Sequence, residues 1–190
     1  KDSDIKSIKA DANEALENKR IYFGHASVGR NIIDGIMKIT ANDQQAQNII
    51  IQELKDEYIN EPAFYHAKNG KNGFPKGKID AFKNILEKNG LGNKLDMAFF
   101  KFCYVDFTRD TNVPELFDYY VKSMEDIKKQ FPKLELIHVT APLYAHAWGL
   151  KGFIKNLIKG DISNVKRNQF NTLLINKYKN VEPIYDLAEI

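Results

Sequence analysis

Cysteine is nearly absent: Cys103 is the single one, so no disulfide can form within the chain and its redox compartment leaves no mark on the sequence. Long hydrophobic runs are absent as well. No stretch approaches the ~18 apolar residues of a membrane-spanning helix, so no transmembrane segment is expected. An excess of one charge is also missing, since 28 Lys+Arg face 25 Asp+Glu for a net +3. The basic residues are mostly scattered lysines, which read as solvated helix faces. Without a basic-aromatic stripe, nucleic acid is not an expected partner. No His or Cys pair has zinc-site spacing, so a catalytic metal is not expected. No signal-peptide pattern stands at the start. A chain opening on Lys1 instead of Met suits a processed or trimmed form. That slightly favours an extracytoplasmic location, secreted, periplasmic or lipid-anchored.

What is present suits one folded domain. The 190 residues are 43% hydrophobic and 12% aromatic, enough to bury a core. Residues 4–18 carry Ile5, Ile8, Ala12, Ala15 and Leu16 at helical spacing. Arg20–Phe23 is a short β-prone run, and Ile32, Ile33, Ile36, Met37 and Ile39 then follow a helical period. Asn48–Leu54 reads as a second, buried strand and residues 55–75 as irregular. Ile79, Phe82, Ile85 and Leu86 mark the inner face of a helix closed by Asn89-Gly90. Asp96–Phe107 reads as a third strand, followed by a long helix with Pro114 at N1. Leu134–Ala141 reads as a fourth strand, 161–179 as a helix and Val181–Leu187 as a fifth strand, which Pro183 places at an edge. Strands alternating with helices predict an α/β fold. The expected form is a three-layer α/β/α domain around a doubly wound, mainly parallel five-stranded sheet. Ligands in such sheets bind beyond the carboxyl ends of the strands.

The turn Gly24-His25-Ala26-Ser27-Val28-Gly29 stands at one such end. A serine between strand and helix projects its hydroxyl from the sheet edge, and the helix N-terminus favours negative charge there. Ser27 in this turn is either a nucleophile or the N-cap of the helix starting near Val28. His25 lies two residues away and is either a base or a turn histidine bonded to backbone. His66 stands in the glycine-rich region as a pocket residue or a structural one. His138, mid-strand, reads as a satisfied core residue. His146 and Trp148, with Tyr144 and Phe153, read as an aromatic lid or substrate wall on the excursion 143–160, and the aromatic residues equally as core packing. Cys103 reads as a buried thiol.

Several of these segments resemble the SGNH/GDSL hydrolases. Phe23-Gly24-His25-Ala26-Ser27 is similar to their first block, Phe-Gly-Asp-Ser, with one residue more. Asn69-Gly70-Lys71-Asn72-Gly73-Phe74-Pro75 and the helix after it resemble the second block. Asp96–Asp106 resembles the third strand and Leu136–Pro142 the fourth. Asn168–Tyr178 resembles the helix before the last strand. The likeness runs from about residue 20 onward. It implies a flavodoxin-like sheet and a cofactor-free ester hydrolase acting on a small acyl or carbohydrate O-acetyl ester. Ser27 would be the nucleophile, with the amides of Ser27 and Gly73 holding the oxyanion and Asn72 as a third donor. His66, Asp106, His146 and Trp148 would line the substrate site, although Asp106 also reads as a strand-end cap.

The pattern breaks in two places. Val105 stands where the family has its oxyanion-hole asparagine. No Asp-x-x-His, the family's source of the catalytic base, occurs anywhere in the sequence. A domain ending on a strand is expected to continue, so the missing base is expected in a further C-terminal segment, with His25 as the other choice. Both breaks equally suit a non-catalytic glycan- or anion-binding module on the same scaffold. A flavodoxin-like phosphate binder is a weaker third reading, because the turn lacks a glycine-rich cradle.

Overall fold

Parallel strands buried on both faces carry near-continuous apolar runs, and two segments of this chain do so, Ile21-Tyr22-Phe23 and Ala98-Phe99-Phe100. In the computed structural model, which describes residues 16–44, 46–55, 59–144 and 161–189, they form the middle of a parallel sheet. The strands are β1 (Arg20–His25), β2 (Ile51–Glu53), β3 (Ala63–Lys68), β4 (Met97–Phe100) and β5 (Glu135–Leu136), in the order β2-β3-β1-β4-β5. A short parallel pair, β6 (His138–Val139) and β7 (Ile184–Tyr185), continues from it. Helices α1 (Gly29–Asn42), α2 (Pro75–Glu87), α3 (Val113–Gln130) and α4 (Asp161–Tyr178) complete the three-layer α/β/α fold.

Strand alternation splits the core in two. Ile21, Phe23 and Phe64 face α1, where Ile33 is fully buried and Ile32 and Ile36 pack beside it. Tyr22, Tyr65, Ala98 and Phe100 face the other way. There they meet Ile79, Phe82 and Leu86 of α2, Tyr120 and Met124 of α3, and Phe170 of α4. The α3 helix starts as the sequence suggests, with proline in its first turn and Asn112 accepting from the Glu115 amide.

Five expectations are corrected. Residues 63–68 lie in the expected irregular region, yet form β3, hydrogen-bonded between β2 and β1. The second strand is shorter than 48–54 and lies at the sheet edge, with Gln52 and Glu53 exposed. The third ends at Phe100, and Tyr104–Asp106 is a 3-10 turn. The fourth divides at Ile137, because its first half pairs with β4 and its second with β7. The helix at 76–89 also ends earlier, at Glu87, where a 3-10 segment Lys88–Asn93 takes over. The helix expected over 4–18 lies largely outside the described residues.

This order creates a switch point at β1. The α1 connection leads toward β2 and β3, and α2 then carries the chain across to β4 on the other side. The loops after β1, β3 and β4 therefore diverge at the carboxyl end of the sheet and leave a crevice. The end of β1 is tied on both flanks. His25 O accepts from the Asn69 amide at 2.8 Å, and Gly24 O accepts from the Lys101 amide at 3.2 Å.

Candidate active site

Ser27 leaves β1 with a φ of +50°, a left-handed conformation that a side-chain-bearing residue adopts at a cost of about 1 kcal/mol or more. The cost is not offset by capping. The helix begins at Gly29 with Val28 at its N-cap, and no side chain hydrogen-bonds that cap. The exposed Ser27 side chain is held at the sheet edge by backbone. The Ser27 carbonyl accepts from the Arg30 amide at 2.8 Å, and Ala26 O from Gly29 at 3.2 Å. The first amide tied into this turn is that of Gly29, and those of Ser27 and Val28 precede it.

Gly29 makes the tight turn possible. A Cβ there would stand 2.4 Å from His25 Cβ and 3.1 Å from Lys101 Cε. Gly29→Ala is therefore expected to destabilise the protein by about 1–3 kcal/mol through overpacking, although alanine is the better helix former. Urea denaturation checks this, and an unchanged or raised midpoint would refute it.

A cleft of about 350 Å³ opens at this edge, lined by Ser27, His25 and Arg30 on one side and by Lys68, Lys71 and Asn72 on the other. A larger cleft of about 410 Å³ lies between α3 and α4 around Lys128, Tyr178 and Glu182, away from the carboxyl ends of the strands, and its lining holds neither serine nor cysteine.

His25 and His66 form a buried pair. Parallel pairing of β1 and β3 sets them on the same face, and His25 Nε2 lies 3.1 Å from His66 Nδ1. They are 8% and 3% exposed. Burial lowers the pKa of His25 from its usual 6.5 to about 4, and the neighbouring His66, Lys101 and Arg30 push it the same way. Burial also lowers that of His66. Both rings are thus neutral at pH 7, one nitrogen of the contact donating and the other accepting.

The shift has a consequence for stability. Below pH 6.5 the unfolded chain protonates His25, while the folded protein resists until about pH 4. Stability falls as pH drops through that window, and the lowered pKa values of His66 and His138 add to the fall with the same sign. From His25 alone, a loss on the order of 1–2 kcal/mol is expected between pH 7.5 and pH 5. Denaturation at the two pH values measures it, and His25→Asn should flatten the difference.

Beneath the loop 69–73 lies a second network. Lys78 Nζ donates to Asp106 Oδ2 at 2.6 Å and to Asn72 Oδ1 at 2.8 Å. The Asp106 carboxylate also accepts from the Gly73 amide at 2.7 Å and the Cys103 amide at 2.6 Å. Both charged side chains of the ion pair are fully buried. Gly73, at φ +80°, turns the loop toward Asp106 as a residue with Cβ rarely would. Because an ammonium only donates, the Asn72 oxygen must face Lys78, which leaves the Asn72 NH₂ group as the end able to donate elsewhere.

The site residues expected from the sequence therefore separate into groups. Ser27, His25 and Asn72 line one cleft. His66 stands behind His25. Asp106 is 2% exposed under the loop, where it engages the Gly73 amide, and these two residues line a separate cleft of about 250 Å³ with Phe74, Thr108 and Asn112. His146, Trp148 and Phe153 lie outside the described residues. Val105 is 38% exposed on the 3-10 turn. His138 is buried as expected, bonded to Tyr120 Oη at 2.7 Å and Glu182 at 3.1 Å. Cys103 is likewise buried.

Lys78 and Lys101 are fully buried although sequence reasoning placed lysines on solvated faces. The signals were legible: Lys78 continues the 78, 82, 86 stripe of α2, and Lys101 interrupts the aromatic run Phe99-Phe100-Lys101-Phe102. Lys101 Nζ donates to Phe102 O at a long 3.3 Å, and burial lowers its pKa, with Lys78 adding to the effect against Cys103 and Asp106. Arg167 of α4 fixes the 3-10 turn by donating from Nε to Tyr104 O at 2.8 Å.

No protein-family model matches this chain, and no characterised protein shows significant sequence similarity to it. Among the described residues no helix is long and apolar enough to cross a membrane.

Proposed function

We propose that this protein is a serine-dependent ester hydrolase of the SGNH/GDSL type, acting on a small acyl ester or a carbohydrate O-acetyl group. The observation that carries the reading is Ser27 itself. It is exposed, held at φ +50° at the carboxyl edge of a central strand, unused as a cap, and shares a cleft with a neutral buried histidine. The sheet order supports it, since the crevice at the switch point is where such folds bind ligands.

In this mechanism Ser27 Oγ attacks the ester carbonyl and its proton passes to His25. With Nε2–H donated to His66, His25 keeps its Nδ1 lone pair for that proton. The amides of Ser27 and Val28 and the NH₂ group of Asn72 face the developing oxyanion. Collapse expels the alcohol, which takes the proton from His25, and water then cleaves the acyl-serine by the same steps. The Gly73 amide is engaged by Asp106 and takes no part while that bond holds.

The test is a fluorophosphonate probe with mass-spectrometric mapping of the adduct, run beside p-nitrophenyl acetate hydrolysis. An adduct on Ser27 and an acid limb of kcat/KM nearer pH 4 than 6.5 are expected. No adduct and no turnover would overturn the reading. The engaged Gly73 amide and the apolar Val105 favour a second reading, a non-catalytic glycan- or anion-binding module, which that negative result would select.

A further inference from the structure

We infer that the Ser27 cleft is built for an anionic substrate, an ester carrying a carboxylate or phosphate on its acyl or alcohol part. The inference concerns the same cleft and rests on the hydrolase reading for the word substrate, but the anion site itself does not.

Three basic side chains, Arg30, Lys68 and Lys71, line the cleft, and its lining contains no carboxylate. The whole chain carries only +3, so this is a local concentration, not a reflection of overall charge. Lys68 and Lys71 are exposed and come from the β3 end and the glycine loop, whereas Arg30 comes from α1, so the charges converge from two sides. Nearby acids offset them weakly. Asp34 lies 3.3 Å from Arg30 in a solvent-exposed pair, and Glu53 acts on the two histidines from the sheet edge.

Two further features point the same way. Lys101, 1% exposed, packs its Cε under Gly29, directly beneath the first turn of α1, and among the described residues its ammonium donates only through the long contact to Phe102 O. A charge in that low-dielectric position acts strongly on the cleft above it. The first turn of α1 also carries no acidic residue. Helix N-termini ordinarily attract acids, and here cations gather at the positive end of the helix instead. This arrangement is self-repelling until an anion enters. A carboxylate or phosphate in the cleft would meet Arg30, Lys68 and Lys71 together, while Ser27 faces the ester.

The experiment compares p-nitrophenyl glutarate, which carries a free carboxylate, with its neutral methyl ester, uncatalysed rates subtracted. At low salt the KM for the anionic ester is expected to be lower by about tenfold. The advantage should shrink between about 20 and 300 mM NaCl as the charges are screened. The double variant Lys68→Glu/Lys71→Glu should bring the KM ratio toward one, whereas Lys38→Glu/Lys133→Glu, the same charge change at exposed positions outside the cleft lining, should preserve it. Equal KM values at low salt, or a ratio indifferent to the cleft reversal, would overturn the inference. In parallel, inorganic phosphate is titrated into Ser27→Ala at low salt and the amides of residues 27–30 and 70–72 are followed by NMR. Saturable shifts confined there, with no ester turned over by the wild type, would sink the hydrolase reading and keep the anion site. Turnover without charge preference and without phosphate shifts would do the reverse.

Discussion

Replacing Asp106 with alanine is expected to remove about 3–5 kcal/mol of stability, the range seen when one partner of a buried ion pair is deleted. The variant would strand the Lys78 ammonium in a fully buried position and leave the Gly73 and Cys103 amides without their acceptor. For a domain of this size that loss is a large fraction of the folding free energy and corresponds to a melting-point drop of about 10 °C. Asp106→Asn is the gentler probe. It preserves shape and one acceptor oxygen but not the charge, and should fall between wild type and alanine. Lys78→Met/Asp106→Leu removes both charges and should recover part of the loss, short of wild type, because the two amides stay unpaired. Urea denaturation of the set forms a double-mutant cycle. Hydrogen exchange adds a local readout: the Gly73 amide is expected to be protected in the wild type and to exchange freely in Asp106→Ala and Lys78→Met/Asp106→Leu. A change under about 1 kcal/mol for Asp106→Ala would show that the pair does not hold the loop.

Ser27→Ala and Ser27→Gly are expected to abolish esterase turnover alike, by about 10⁴-fold or more in kcat, while differing in their effect on stability. Alanine keeps the strained φ of +50° and should leave the melting temperature near wild type. Glycine adopts that conformation freely and is expected to gain up to about 1 kcal/mol. Strain held at a residue whose replacement both stabilises the fold and ends the chemistry is the signature of a position kept for function. Loss of stability with glycine, or retained turnover with alanine, would remove Ser27 from the centre of the site.

The amount of this that the sequence disclosed varied by feature. The alternation of strands and helices was plain because parallel central strands need apolar residues on both faces, and Ile21–Phe23 and Ala98–Phe100 carry them. Strand β3, between β2 and β1 in the sheet, was not plain. In Ala63–Lys68 histidine and lysine sit among apolar residues beside an Asn-Gly loop, and its pairing with β1 is set by contacts 43 positions apart, such as Arg20 with Ala63. No local period reports such a contact.

The turn at Ser27, the glycine loop at 69–73 and the lone histidines were all visible as departures from apolar patterning, because strand ends and tight turns demand particular residue types locally. Their partnerships were decided by tertiary structure alone. His25 meets His66 across 41 positions, Gly73 meets Asp106 across 33 and Lys78 meets Asp106 across 28. Whether a histidine is neutral, whether a lysine is buried and whether an amide remains available depend on those meetings. Each is an energy between distant side chains in a shared low-dielectric space, and a one-dimensional pattern carries the residue types without that distance.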